Sequence, residues 1–189
     1  MLKDQLRKQA RLRRVDLAKA VGIQFGANLV DQFFLNFAKE TLTPGINIAG
    51  YWPIFSEADA KPLLNALHQK ACTCFLPVVV AHGSSLIFRE WQPGDELVTS
   101  DIGILEPDAD KPVGVPDILL LPLLAYDKQG YRMGYGGGYY DRTLSDLRDS
   151  DKITAIGIAY AGQEVNNVPY ENFDQRLDWV LTEKGAQEF

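Results

Sequence analysis

The sequence predicts an α/β protein whose parallel or mixed sheet is covered by helices on both faces, folded as one domain over residues 1–189. Three observations carry this expectation. Helical and extended segments alternate along the chain, as in a sheet wound through crossover helices. Residues 118–121 form a short run without a polar side chain, which suits a buried strand. Leu29, Val30, Phe33, Phe34 and Phe37 recur at helical spacing, giving one helix an apolar face to lay on that sheet.

Taken in order, residues 2–19 read as a helix. At about 100° per residue, Lys3, Arg7, Arg11 and Arg14 fall on one stripe beside an apolar seam of Leu6, Ala10 and Leu17. Residues 25–39 are the second helix. Residues 46–52 are extended and end at Pro53, and 58–70 are helical, entered after Ser56, whose hydroxyl is suited to cap the free N–H groups. Residues 73–81 and 86–91 are extended. From 92 to 116 the chain is rich in Gly, Pro and Asp without a strong period, so it leaves the core as a plain surface loop or as a mobile flap. The strand at 118–121 is entered through Pro116-Asp117. Residues 139–149 are helical, 153–160 extended, and 178–181 a short terminal strand. No repeat, low-complexity tract or composition break marks a second domain.

The 46% hydrophobic and 23% charged fractions are those of an ordinary globular protein, and the net charge of −6 argues against general nucleic-acid binding. The charge is uneven, however. Residues 1–19 carry Lys3, Arg7, Lys8, Arg11, Arg13, Arg14 and Lys19 against only Asp4 and Asp16, so a basic helix sits on an acidic body, which suggests a local anion site. Cys72 and Cys74 alternate to one face of a strand, where a disulfide is disfavoured, and two histidines supply no zinc spacing. The longest apolar run, 118–125, is broken by Pro122, so neither a secretory signal nor a membrane span is expected. The Arg-rich start imitates a mitochondrial presequence, but Asp4 and Asp16 count against it. A cytoplasmic protein is the expectation.

Candidate chemistry concentrates at Arg132-Met133-Gly134-Tyr135-Gly136-Gly137-Gly138-Tyr139-Tyr140-Asp141-Arg142. Four glycines in five positions leave a backbone free to take positive φ and to turn N–H groups onto phosphate oxygens ahead of a helix N-terminus. The alternative is a tight connection, since the stretch lacks the Gly-Lys-Ser/Thr ending of a phosphate loop and has Tyr139 at the third dinucleotide position. An aspartate so close to a phosphate implies an intervening divalent cation. A second cluster, Tyr51-Trp52-Pro53-Ile54-Phe55-Ser56-Glu57, follows a strand, where open sheets bind ligands. Its aromatics offer faces to a flat heterocycle, and Glu57 offers acceptors to N–H donors. From the residues alone the commoner reading is a core aromatic cluster with an acid near a helix N-terminus. Asp174 lies in a polar turn, where acids are commonly just solvated.

The run from Tyr131 to Arg142 resembles the signature of the 5-formyltetrahydrofolate cyclo-ligase family, also called 5,10-methenyltetrahydrofolate synthetases, and the similarity extends to both ends and the middle of the chain. The resemblance implies a three-layer α/β/α fold with a mostly parallel, Rossmann-like open sheet. It also implies ATP- and Mg²⁺-dependent conversion of 5-formyltetrahydrofolate to 5,10-methenyltetrahydrofolate, with release of ADP and phosphate. The family's N-terminal Lys-x-x-x-Arg pair contacts ATP, which places Lys3 and Arg7 there together with Arg132, Met133, Gly134, Tyr135, Gly136, Gly137, Gly138, Tyr139 and Tyr140. Trp52 and Glu57 match the folate-binding positions, Glu57 facing the N–H edge of a reduced pterin, and the loop from Tyr135 to Tyr139 borders the same substrate. Asp141 and Asp174 match the Mg²⁺ ligands, a demand that one or two carboxylates plus phosphates satisfy. Arg132 stabilises charge on the transferring group or else buttresses the loop, and Arg11 and Arg14 are expected beside the same anion site without an assigned contact.

The chain departs from the family's pattern at Phe173, where histidine is frequent, at Leu123, where glycine is frequent, and at Met133, where leucine is commoner. The implied partners are small molecules, with no nucleic acid and no membrane, and the protein is expected to act as a monomer. The competing readings are a non-catalytic nucleotide or polyanion binder, and a relative of sugar-phosphate isomerases or acyl-CoA transferases.

Overall fold

The computed structural model describes residues 2–37, 42–43, 45–150 and 153–189. Helix α1 (Leu2–Val21) passes through a short 3₁₀ turn (Gly22–Gln24) into α2 (Phe25–Phe37), and the expected end of α2 at 38–39 lies outside the described residues. Then follow β1 (Asn47–Ala49), α3 (Lys61–Gln69), β2 (Thr73–Val78), β3 (Ile87–Glu90), β4 (Leu97–Thr99), β5 (Leu105–Pro107) and β6 (Val113–Gly114). The second half holds β7 (Ile118–Pro122), β8 (Ala125–Tyr126), β9 (Arg132–Met133), α4 (Tyr139–Ser150), β10 (Thr154–Ile158), β11 (Trp179–Thr182) and β12 (Gly185–Glu188).

The main sheet runs β12-β11-β10-β7-β1-β2-β3-β6. Its five inner strands are parallel, and β12, β3 and β6 close the edges antiparallel. This is the mostly parallel sheet expected, and β7 shows why its strands read as unbroken apolar runs. Ile118 and Leu120 face one layer with α2 and α3, while Leu119 and Leu121 face the other with Leu144 of α4. Phe25, Leu29, Phe33 and Phe37 form the buried stripe of α2, with Phe33–Phe37 ring centroids 5.0 Å apart. Cys72 and Cys74 share one core face as free thiols.

Three local expectations change. Ser56 does not cap α3: the helix starts after Ala60 without a side-chain cap and with Pro62 in its first turn, while the Ser56 hydroxyl instead accepts a hydrogen bond from Arg14. The excursion at 92–116 is partly ordered as an antiparallel β4–β5 ladder plus the edge strand β6. A β8–β9 hairpin and β12 also had no periodic signal, being only two to four residues long. Leu123 is accommodated by Gly157, where a Cβ would come within 2.8 Å of the Leu123 Cδ2.

Candidate active site

β1 and β7 are neighbours whose connections lead away in opposite directions, to β2 on one side and β10 on the other. Loops at the carboxyl ends of two such strands part and leave a crevice. A cleft of about 510 Å³ opens there, between the segment after β1, the glycine loop and the first turns of α1. Lys3, Arg7, Trp52, Glu57, Arg132, Met133, Gly134, Tyr135, Gly136, Gly137, Gly138, Tyr139, Tyr140, Asp141 and Asp174 all line it. Sequence positions as far apart as Lys3 and Asp174 are thereby brought to one surface. Ile102, Ile104 and Leu105 from the excursion line the same space.

The β8–β9 hairpin delivers the glycine loop. Its turn is tied by buried Asp127, whose Oδ1 accepts the N–H groups of Gln129 and Tyr131 while Oδ2 accepts that of Val168, at 2.8–3.2 Å. Beyond Met133, whose side chain is buried against Leu124 and Val168, the loop takes positive φ at Gly136 (102°) and Gly138 (66°) before α4 begins. The Arg7 guanidinium lies against Gly136: a Cβ there would stand 3.2 Å from its Cζ. Among the described residues Arg7 Nε is buried without a hydrogen-bond partner, a donor left over beside the loop. Arg142 donates to the Gly137 carbonyl at 2.8 Å and braces the loop from the other side.

Acids and cations interleave at this end. Lys3 Nζ lies 2.6 Å from Glu171 Oε1 and 3.5 Å from Asp174 Oδ2; burial opposes its charge, but the two acids hold its pKa above the ordinary value. Asp141 Oδ1 accepts from Arg132 at 2.8 Å and from the Gln175 N–H at 3.1 Å. The Arg132 side chain, only 5% exposed, also donates to the Gln175 carbonyl. Burial pulls its pKa below the usual arginine value, against the fields of Asp141 and Asp174. Among the described residues no cluster of three or more His, Cys, Asp or Glu is arranged for a metal. Asp141 and Asp174 both line the cleft and both act on Arg132, and oxygen donors of this kind suit a hard cation rather than zinc.

The other end is built from the turn after β1. Glu57 N–H donates to the Ile54 carbonyl at 3.1 Å, and Ile54 N–H donates back to Glu57 Oε2 at 2.9 Å. Closing this turn forces Phe55 to φ 53°, rare for a bulky residue, and leaves its ring 93% exposed. Of the three aromatics, then, Tyr51 and Trp52 face the cleft and Phe55 faces out. Burial pushes the Glu57 pKa up to about 7, against the Ile54 N–H and the Arg14 charge. Arg14 is the residue whose place the sequence hid: it is 1% exposed and reaches Ser56, Glu57, Leu123 and Tyr135. Nothing in the local sequence separates it from exposed Arg13, and the one available signal was its membership of the Lys3–Arg7 stripe.

The profile of the 5-formyltetrahydrofolate cyclo-ligase family matches residues 2–183. The chain is 33% identical over 184 residues to the 5-formyltetrahydrofolate cyclo-ligase of Haemophilus influenzae, covering 95% of this chain and 96% of that protein. It is 34% identical over 140 residues to that of Escherichia coli K12, covering 71% and 76%. Among solved structures, the 5,10-methenyltetrahydrofolate synthetase of Aquifex aeolicus superposes with a TM-score of 0.80 at 28% identity, over 100% of this chain and 93% of that one. The Mycoplasma pneumoniae enzyme of the same name gives 0.74 at 26%, over 97% and 99%.

Proposed function

The chain belongs to the 5-formyltetrahydrofolate cyclo-ligase family, and from that premise we propose that its cleft is where ATP and 5-formyltetrahydrofolate meet. The protein is an enzyme that converts 5-formyltetrahydrofolate to 5,10-methenyltetrahydrofolate with consumption of ATP. The observation that carries the site reading is the convergence of a glycine loop flanked by cations and a buried carboxylate beside Trp52 within one cavity. Its volume is in the range of ligand pockets generally.

The chemical problem is that a formamide oxygen is a poor leaving group. In this reading the formyl oxygen attacks the γ-phosphorus of ATP, breaking the bond to ADP and leaving an iminium-like carbon bearing phosphate. N10 then forms its bond to that carbon, phosphate departs with the C–O electron pair, and the N10 proton is lost to solvent. The protein's part is positioning and charge neutralisation. Lys3, Arg7 and the loop N–H groups from Gly134 to Gly138 hold phosphate oxygens. Glu57 and Trp52 hold the pterin, the carboxylate accepting from its N–H edge and the indole lying against its face. Asp141 and Asp174 are the residues that would hold Mg²⁺, which, when bound, supplies positive charge to the phosphate oxygens. Arg132 keeps Asp141 oriented, and this bracing role fits its burial better than direct contact with the transferring group.

The reading is tested by mixing protein, Mg²⁺ and ATP with and without 5-formyltetrahydrofolate. One ADP per methenyl product, and none without folate, is expected. Nucleotide binding without turnover would favour the non-catalytic alternative.

A further inference from the structure

Arg14 enters the cleft wall from α1 and ends where three loops meet. Its Nε donates to Ser56 Oγ at 3.2 Å, one terminal nitrogen donates to the Leu123 carbonyl at 3.3 Å and stands 3.7 Å from Glu57 Oε1, and the other donates to the Tyr135 hydroxyl. Its Cζ also lies 5.3 Å from the Tyr135 ring centroid, with Arg11 at 4.8 Å. One guanidinium thus touches the segment after β1, the segment after β7 and the glycine loop. A flat group with five donors spread over three nitrogens in a plane can reach acceptors on separate segments at once, whereas the three donors of an ammonium all sit on one nitrogen. Because Arg14 donates to the phenol oxygen, the proton of Tyr135 itself stays available to the cleft that Tyr135 lines.

We propose that Arg14 is a positioning residue of the reaction, a single guanidinium that fixes Tyr135 of the glycine loop to Glu57 after β1 and so couples nucleotide binding to folate binding. A loop that orders on phosphate carries Tyr135 with it, and through Arg14 that order reaches the carboxylate that receives the pterin. The same contact favours the carboxylate's ionised form against the larger effect of burial. The groups facing Glu57 are Arg14 from α1, Tyr51 after β1, Tyr135 in the loop and Tyr140 at the start of α4, with Asp59 also close to Tyr51, and Arg14 is the cation that favours the ionised form.

The inference rests on the ATP–folate reading of the cleft, and its test separates the two. Full-length wild type, Arg14→Gln and Arg14→Lys are titrated with 5-formyltetrahydrofolate on both sides of neutral pH, with and without Mg²⁺ and a non-hydrolysable ATP analogue. In wild type the analogue tightens folate binding. In Arg14→Gln that tightening is lost, and the pH midpoint of folate binding moves up by about one unit or more, the size an opposite charge within a few ångströms confers. Arg14→Lys keeps the midpoint near wild type, because the charge remains, but loses most of the tightening, because one nitrogen does not reach acceptors that the three guanidinium nitrogens contact on three separate segments. Wild-type midpoint and coupling in Arg14→Gln would overturn the inference, as would wild type without coupling. Should Arg14→Gln not fold by circular dichroism, full coupling in Arg14→Lys would overturn it equally. Failure of wild type to bind 5-formyltetrahydrofolate at all would instead remove the reading of the cleft itself, and this inference with it.

Discussion

At one end of the cleft Lys3 pairs with Glu171 across side chains 28% and 53% exposed, whereas at the other Arg14 and Glu57 face each other with 2% and 4% of their side chains exposed. Exposed pairs of the first kind contribute about 0–1 kcal/mol, because water screens them and long side chains must be ordered to make them. A phosphate or a cation can replace either partner at little cost. A buried pair is different, since removing one member strands the other and costs about 3–5 kcal/mol. The end proposed for nucleotide is therefore built to exchange partners, and the end proposed for folate is built beforehand and held. The positive φ values at Gly136 and Gly138 belong with the first kind of construction, and the closed turn from Ile54 to Glu57 with the second.

The sharpest way to break this contrast is Asp141→Asn, which touches the exchangeable end where it meets a buried cation. Turnover should fall by about 10²–10³-fold, the size of losing one preorganised electrostatic contact in a transition state. The structure adds an effect on stability. Asparagine keeps an acceptor for the Gln175 N–H but leaves Arg132 without its carboxylate, so the melting temperature should fall as well. Normal turnover with unchanged Mg²⁺ dependence would take Asp141 out of the metal site.

A smaller effect is expected from Gly136→Ala. At φ 102° an alanine is strained, and its Cβ would press on the Arg7 guanidinium at 3.2 Å. KM for ATP should rise about tenfold, equivalent to roughly 1.4 kcal/mol, with KM for folate little changed. A rise in the folate KM that persists at saturating ATP would mean that Gly136 serves the folate end directly.

The pH dependence is the most modest effect and separates binding from stability. Glu57 is raised from 4.5 to about 7 by burial, so the folded protein holds a proton there that the unfolded chain has released. This contribution to stability is complete below pH 4.5 and is lost as pH rises to about 7, above which it is flat. In the proposed site folate binds the ionised carboxylate, so its binding should run the other way and strengthen as pH rises through about 7. Melting curves and folate titrations of the ligand-free protein across that interval should show opposite slopes, and both slopes should vanish in Glu57→Gln.

What the residues disclosed in advance follows the same division. α1 and α2 were legible because each repeats a pattern over several turns, α4 as a polar helix-like run, and β7 because it is apolar without interruption. The glycine loop and the charged residues Lys3, Arg7, Asp141 and Asp174 were legible because their types are unusual at those places or match a family. The β4–β5 and β8–β9 ladders were not, being too short to show a period. Ser56 was misread because a hydroxyl ahead of a helix has a local use, and only the fold brings Arg14 to it from 42 residues away. Arg14 itself shares its neighbours' composition, and burial is a property of where α1 lands. Leu123 raised doubt only until Gly157 supplied the space.

The central claim is that one cleft joins a nucleotide end and a folate end, each with its own binding residues and the two linked through Arg14, and crossed titration with each ligand alone tests it most directly. Glu57→Gln and the double variant Lys3→Ala with Arg7→Ala are each titrated calorimetrically with 5-formyltetrahydrofolate and, separately, with a non-hydrolysable ATP analogue. Glu57→Gln turns an acceptor into a donor facing the pterin's donors. It should weaken folate binding by about 10- to 100-fold, from the roughly 1.5–3 kcal/mol of a hydrogen bond to a charged group, while nucleotide affinity stays near wild type. The double variant should weaken the nucleotide and spare the folate. Loss of nucleotide affinity in Glu57→Gln with folate affinity intact would contradict the account.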